Sequence, residues 1–413
     1  MEDSNRRGWL VVGSLAAVLC IVQGPAGSTI GVFLPAIIRQ FGATHAQAAR
    51  IATASILATG IVSPAVGWLL DRVQARWVMA CGIALTAAGY LLGSRANSLT
   101  LLIVAYALLG VGVAAGTFLP ATLVAVGWFK ERRGLAIGLA LVGFSVGMTI
   151  WPMVVGQQLV HHPWRQAMVW LAVPMLLVAL PLVLLAVRQR AAGGNDPKAQ
   201  RAALAGLDSS QLVRARAFWL LLAVQCLYAL AVGSIYIFIV SYLIWVGFSP
   251  PMAATIFGIQ ALGAGVGFLV MGWLADRLGA RPTMLLTIAG SVFSILCLSH
   301  AGPSAMGWLF VVVFCIFWST TAGAPHAIIP LLAAEALGMR RFGAVIGVLQ
   351  FLSNVCLGSA PLVSGRIFDV TGGYGYVLML AIALHAGGAL CSALIYPAPG
   401  HDAVPEALQV AAG

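Results

Sequence analysis

The sequence predicts an all-α membrane protein with twelve transmembrane helices in two pseudo-symmetric six-helix bundles. Three observations predict it. Of 413 residues, 61% are hydrophobic and only 8% are charged, with a mean hydropathy of +1.00. A domain surrounded by water carries about 25% charged residues. Apolar runs long enough to cross a bilayer as a helix, about 20 residues each, recur twelve times. One charged segment also occurs twice: GWLLDRVQAR at 67–76 and GWLADRLGAR at 272–281, every matched residue offset by 205.

Helix 1 is expected over 9–38. Arg6 and Arg7 precede it as they would a signal peptide, but the apolar run is roughly 30 residues, beyond the 7–15 of a signal core. Helix 2 follows at 46–70 and ends on Asp71 and Arg72. Helix 3 is expected at 77–94, helix 4 at 99–129, helix 5 at 135–160 and helix 6 at 164–187. The polar stretch 188–216 then breaks the pattern. It contains AAGGNDPKAQ, whose Gly, Asn and Pro mark a linker. Helices 7 to 12 are expected at 218–246, 251–275, 282–298, 306–334, 343–368 and 374–396. The chain thus divides into an N-terminal bundle (1–187), a cytoplasmic linker (188–216) and a C-terminal bundle with a short tail (217–413).

The basic residues support this count. With both termini in the cytoplasm, five of the 22 (Arg39, Arg50, Arg95, Arg165 and Arg366) fall outside, and the other 17 fall inside. That is the positive-inside asymmetry, and an odd number of spans would scramble it. It also gives the net charge of +11 a topological meaning, without nucleic acid as a partner. The repeat extends further at an offset of 209, pairing Gly134 with Gly343, Gly138 with Gly347, Pro152 with Pro361 and Gly156 with Gly365. Two copies in one orientation match parallel repeats about an axis along the membrane normal.

Each repeated corner carries an acid and two bases: Asp71, Arg72 and Arg76 in the first, Asp276, Arg277 and Arg281 in the second. A carboxylate at a span end can face the positive N-terminus of a neighbouring helix and act as a conformational latch. A surface ion pair alone would contribute only about 0–1 kcal/mol. Gly67 and Gly272 beside these acids allow close helix approach.

These corners resemble the loop signature of the major facilitator superfamily. WFKERRGLAIGLALVGFSVG (128–147), PLLAAEALGMRRFG (330–343) and PLVSGRIFDVTGGY (361–374) resemble segments of its monocarboxylate and oxalate/formate transporter group. The resemblance implies a secondary transporter whose helices 1, 4, 7 and 10 line a cavity, with 2, 5, 8 and 11 beside them. It also exposes departures. Phe118 stands where the group often has Tyr. Ser28 stands near a helix 1 Lys of the animal members. Tyr106 occupies the superfamily's helix 4 Arg position, and helix 8 lacks the group's Arg.

None of the 11 acidic residues falls at a predicted helix centre. An intramembrane ionisable group is a functional candidate by default, so His326 becomes the candidate for carrying a coupling proton or holding substrate. Candidate substrate-binding residues are Gln23, Ser28, Tyr106, Phe118, Trp151, Tyr236, Gln260, Trp318, His326 and Asn354. Amides and hydroxyls among them can orient a ligand and aromatics can wall it. Interhelical hydrogen bonding is the competing role for each polar one. The seven Cys residues lie in apolar runs without metal or redox spacing and read as small packing residues. His161 and His162 are too few for a metal site, and no cofactor is expected.

The expected function is alternating-access transport of a small organic acid, with an apolar or aromatic body, by a monomer in a bacterial inner membrane. The alternative is import or export of a neutral or aromatic metabolite or drug. The Gly-Pro pair of drug antiporters is absent from helix 5, where Met148 follows Gly147. An enzyme would need a nucleophile, base or metal cluster, and the sequence offers none.

Overall fold

The computed structural model describes residues 2–43, 45–129, 132–187, 207, 209–236 and 238–396. Most of the expected linker, the C-terminal tail after 396, and Lys130 and Glu131 of the helix 4–5 segment lie outside the described residues. Among the described residues there is no strand, and twelve helices are long and apolar enough to span a membrane. They are α1 (Arg6–Ser28), α2 (Arg50–Leu70), α3 (Ala75–Ser94), α4 (Leu99–Trp128), α5 (Arg133–His161) and α6 (Trp164–Ala186). Then follow α7 (Arg216–Tyr236), α8 (Thr255–Leu278), α9 (Ala280–Leu298), α10 (Ala305–Leu337), α11 (Phe342–Thr371) and α12 (Gly375–Ala393). The chain is a multi-pass membrane protein.

Two expected spans are shorter than the apolar runs that encode them. Helix 1 was expected to reach residue 38, but α1 stops at Ser28 and a separate helix, Ile30–Phe41, follows Thr29. Here the Ser28 and Thr29 hydroxyls each donate to a carbonyl four residues earlier, Gly24 and Pro25, both at 2.8 Å. Such back-bonding bends helices. Helix 7 was expected to reach 246, but α7 stops at Tyr236 and Ile239–Trp245 forms its own short helix.

Two other spans are interrupted in mid-course. In α4, helical geometry fails at Thr117, with φ −126° and ψ −104° between Leu99–Gly116 and Phe118–Trp128. In α10, residues 322–324 separate Ala305–Thr321 from Pro325–Leu337. A proline lies at or just after each break. Pro120 has no N–H for the Gly116 carbonyl, and Pro325 has none for the Thr321 carbonyl. The two prolines are 205 residues apart, the same offset as the charged corners.

The chain forms two compact units. The first comprises Met1–Ala202 and Phe342–Phe351; the second comprises Ala203–Arg341 and Leu352–Gly413. Within the first, α1 and α5 meet backbone to backbone. A Cβ on Gly24 would lie 2.6 Å from the Gly147 Cα, and one on Gly143 would collide with the Ala16 carbonyl. Only glycine permits this approach. Trp151 of α5 adds an indole N–H donated to the Cys20 carbonyl of α1 at 2.8 Å.

The second unit's core is rich in aromatic residues. Tyr242, Phe314, Trp318 and Tyr374 pack with Ile235, Leu298, Val311 and Leu378. The buried Tyr242 hydroxyl donates to the Leu298 carbonyl at 2.9 Å, which satisfies both polar groups.

Candidate functional site

At the first charged corner, Asp71 caps a helix. Its two carboxylate oxygens accept from the backbone N–H groups of Gly343 and Ala344, each at 3.1 Å, at the start of α11. The first amides of a helix have no partner within it, and negative charge there is favoured by the helix dipole. Gly67 makes room, because a Cβ on it would collide with the Gly343 carbonyl. All these groups belong to the first unit. Asp276 occupies the last turn of α8, half-buried.

The arginines beside these acids lie over aromatic rings. Arg72 sits 3.5 Å from the Trp68 ring centroid, and Arg277 sits 4.4 Å from that of Trp273. Both are i, i+4 pairs in the two copies of the motif, and both indoles are exposed. Tryptophan favours the membrane interface, and each cation–π contact is worth about 0.5–1 kcal/mol at an exposed site. Arg76 lies 5.0 Å from the centroid of Trp77. Arg281 lies 4.4 Å from that of Tyr396 and donates to the Ala393 carbonyl.

The first unit brings several candidate residues together. The Gln23 side-chain oxygen accepts from the Thr117 hydroxyl at 2.7 Å, joining α1 to the break in α4, and Phe118 follows directly. Trp151 bonds to the carbonyl of Cys20, one turn before Gln23. Ser28 spends its hydroxyl proton on Gly24. Tyr106 is buried, its ring set edge-on to Tyr90 at 6.5 Å, and its hydroxyl has no hydrogen-bond partner among the described residues.

In the second unit, Tyr236 is the most exposed candidate and meets Phe257 edge-on at 5.2 Å. Gln260 lies one turn after Phe257, buried, with its amide nitrogen unpartnered among the described residues. The amide nitrogen of Asn354 in α11 is enclosed in the same condition. A buried donor without a partner costs about 1–3 kcal/mol, which keeps both amides among the candidates for holding a ligand. Trp318 is buried in the core against Phe314, with 5.8 Å between centroids. His326 lies in the first turn after the α10 break, half-buried.

Two features here escaped sequence reasoning. The Tyr228 hydroxyl donates to the Thr321 carbonyl at 2.8 Å, the carbonyl that Pro325 deprives of its helical donor. Its one proton being used, Tyr228 must accept from Ser291, 3.0 Å away. The fully buried His385 packs edge-on to the Tyr228 ring at 5.0 Å. Its Nδ1 lies 2.7 Å from the Ala381 carbonyl, which can only accept, so Nδ1 carries the proton. A lone His in the apolar run of α12 was the available signal.

The breaks in α4 and α10 stand at matched positions in the two repeats. The Major Facilitator Superfamily profile matches residues 16–361 and 246–410. The chain belongs to this superfamily. It resembles the monocarboxylate group in particular. Rat monocarboxylate transporter 13 is 30% identical over 399 residues, covering 93% of this chain and 88% of that protein. Rat monocarboxylate transporter 4 is 24% identical over 363 residues, covering 85% and 75%. These superfamily relatives are transporters, not enzymes. Among solved structures, the fucose transporter FucP in its outward conformation has a TM-score of 0.71 at 17% identity, covering 94% of this chain and 97% of that one. The proton:xylose symporter XylE has a TM-score of 0.74 at 13% identity, covering 98% and 99%. These likenesses support the fold alone.

Proposed function

We propose that this superfamily member is a secondary active transporter that moves a small organic acid across a bacterial inner membrane by alternating access. One observation carries the reading: α4 and α10 are broken by prolines 205 residues apart, beside Gln23 and Thr117 in one unit and His326 in the other. The relatedness to monocarboxylate transporters supports the acid class. The candidate lining has amides, hydroxyls and aromatics, and α8 carries no charged residue before Asp276. A monoanion with an apolar or aromatic body suits such a lining better than a small multivalent acid. A lining so poor in cations also favours the second reading, a neutral or aromatic metabolite.

Counterflow into proteoliposomes tests the choice. Exchange of an aryl- or alkyl-substituted monocarboxylate supports the acid reading. Exchange only of its uncharged amide supports the alternative. If a proton is coupled, His326 is its candidate carrier, and His326→Ala should flatten the dependence of uptake on external pH. An unaltered pH profile in that variant removes the role.

A further inference from the structure

Three side-chain atoms of the second unit are enclosed without a hydrogen-bond partner among the described residues: Arg281 Nε at the start of α9, and Ser392 Oγ and His385 Nε2 on α12. They lie along one line. His385 and Ser392 are seven residues apart, two turns, so they share a face of α12. Arg281 reaches α12 at Ala393, whose carbonyl accepts from it. At the other end of the line, His385 packs edge-on to Tyr228 of α7. Helix packing sets the same level: a Cβ on Gly388, one turn from His385, would lie 4.0 Å from the Leu227 Cβ of α7 and 3.8 Å from the Ile288 side chain of α9.

Buried polar atoms are almost always paired, and the chemistry of this row differs along its length. Arg281 Nε can only donate, and Ser392 can donate or accept. His385 Nε2 can only accept, because Nδ1 already donates to the Ala381 carbonyl at 2.7 Å. It is the basic lone pair of the row, fully buried, midway along α12. A proton is the ligand it fits.

The surroundings decide what a proton there does. α12 packs on α7 and α9. From α7 come Tyr228 at this level, Cys226 two residues before it, and a charge only at Arg216; from α9 come Ser291 and Ser294, with Cys297 near its end and a charge only at Arg281. α12 itself carries Tyr376 and Cys391 and no charged residue. No carboxylate on these three helices can pair with an imidazolium. Its Nε2 would turn from acceptor into donor, and a buried donor needs an acceptor. The hydroxyls beside the ring are already engaged: Tyr228 donates to the Thr321 carbonyl at 2.8 Å and lies 3.0 Å from Ser291 Oγ. A charged donor attracts their oxygens about twice as strongly as a neutral one. We propose that His385 is an internal proton site, and that a proton bound at Nε2 weakens the tie of Tyr228 to the break in α10. One proton passes from water to Nε2, the ring becomes a cation and nothing is oxidised. Ser392 and Arg281 mark the end of the span from which it enters. The site is distinct from His326 and rests on no particular solute.

The test uses full-length protein in detergent, made with isotope-labelled histidine and titrated from about pH 8 to about pH 4, which brackets the range of protein imidazoles. Nuclear magnetic resonance reads the seven histidines. One signal, absent from His385→Gln, should begin as the Nδ1–H tautomer and become imidazolium. Over the same steps, amide hydrogen exchange at 321–324, corrected for its intrinsic pH dependence, should accelerate by about threefold, the loss of one average intramembrane hydrogen bond. His385→Gln should lack that acceleration. Tyr228→Phe should exchange fast at both ends of the titration while the His385 signal still titrates. Circular dichroism and gel-filtration position show that each variant is folded. If His385→Gln does not fold, its signal is the one retained when each of the other six histidines is replaced by Gln. A His385 signal that stays neutral at the lowest pH overturns the site. The same acceleration in a folded His385→Gln protein overturns its link to the break.

Discussion

The α1–α5 seam of the first unit and the α7–α11 seam of the second stand at matched places in the repeat. An offset of 209 relates Gly24 to Gly233 and Gly147 to Cys356. The first seam is backbone on backbone, Gly24 against Gly147 and Gly143 against Ala16. In the second, Gly233 meets Leu357 and Ala360. A Cβ on Gly233 would meet the Ala360 methyl at 2.7 Å, the Leu357 carbonyl at 3.1 Å and the Leu357 side chain at 3.2 Å, of which only the last can change rotamer, so the second seam is looser than the backbone collision of the first but not free. The duplicated architecture has therefore kept the crossing with one tighter seam and one looser seam.

The largest expected effect tests this contrast directly. Gly143→Leu should lower stability by about 1–3 kcal/mol, the range for overpacking, read as a fall in detergent melting temperature. Gly233→Leu should cost clearly less, and equal losses would erase the distinction.

The same contrast extends to the start of α11, which is held by a charge rather than by fit. Asp71→Asn keeps the shape but removes the anion from the helix N-terminus, worth about 0.3–2 kcal/mol. Transport turnover should fall while substrate affinity is retained. Weakened binding at unchanged turnover would contradict a latch role.

Next comes the tie from α7 to the break in α10. Tyr228→Phe removes one of the two donors to the Thr321 carbonyl, leaving the Ala324 N–H, and intramembrane hydrogen bonds average about 0.6 kcal/mol with maxima near 2. The loss should appear as faster hydrogen exchange around 321–325, without wider unfolding. The smallest effect is expected for Trp151→Phe, which removes only the indole donor to Cys20. If the glycine contacts set the first seam, as argued, it should cost about 0.6 kcal/mol or less. A loss matching that of Gly143→Leu would make the indole, rather than the glycines, the determinant.

The spans, the duplication and the charged corners were legible in the sequence because hydropathy, charge and repetition are properties of the chain itself. The position of Asp71 at a span end was equally legible, but its partners at Gly343 and Ala344 lie 272 and 273 residues away. The end of α1 was overrun because an apolar run continues through a bend marked by the Ser28 and Thr29 hydroxyls. The Tyr228–Thr321 bond left no local trace, since it depends on which helix faces meet. His385 was legible by the logic applied to His326, an imidazole within an apolar run.

Pro120 and Pro325 have one further mechanical consequence. Each withholds a single amide proton, and each thereby turns a membrane-long rod into two shorter ones joined by a pliant elbow. One segment can tilt without dragging its continuation across the bilayer. Under the alternating access proposed above, a small cargo would need to shift only half a helix to alter which side of the membrane it meets.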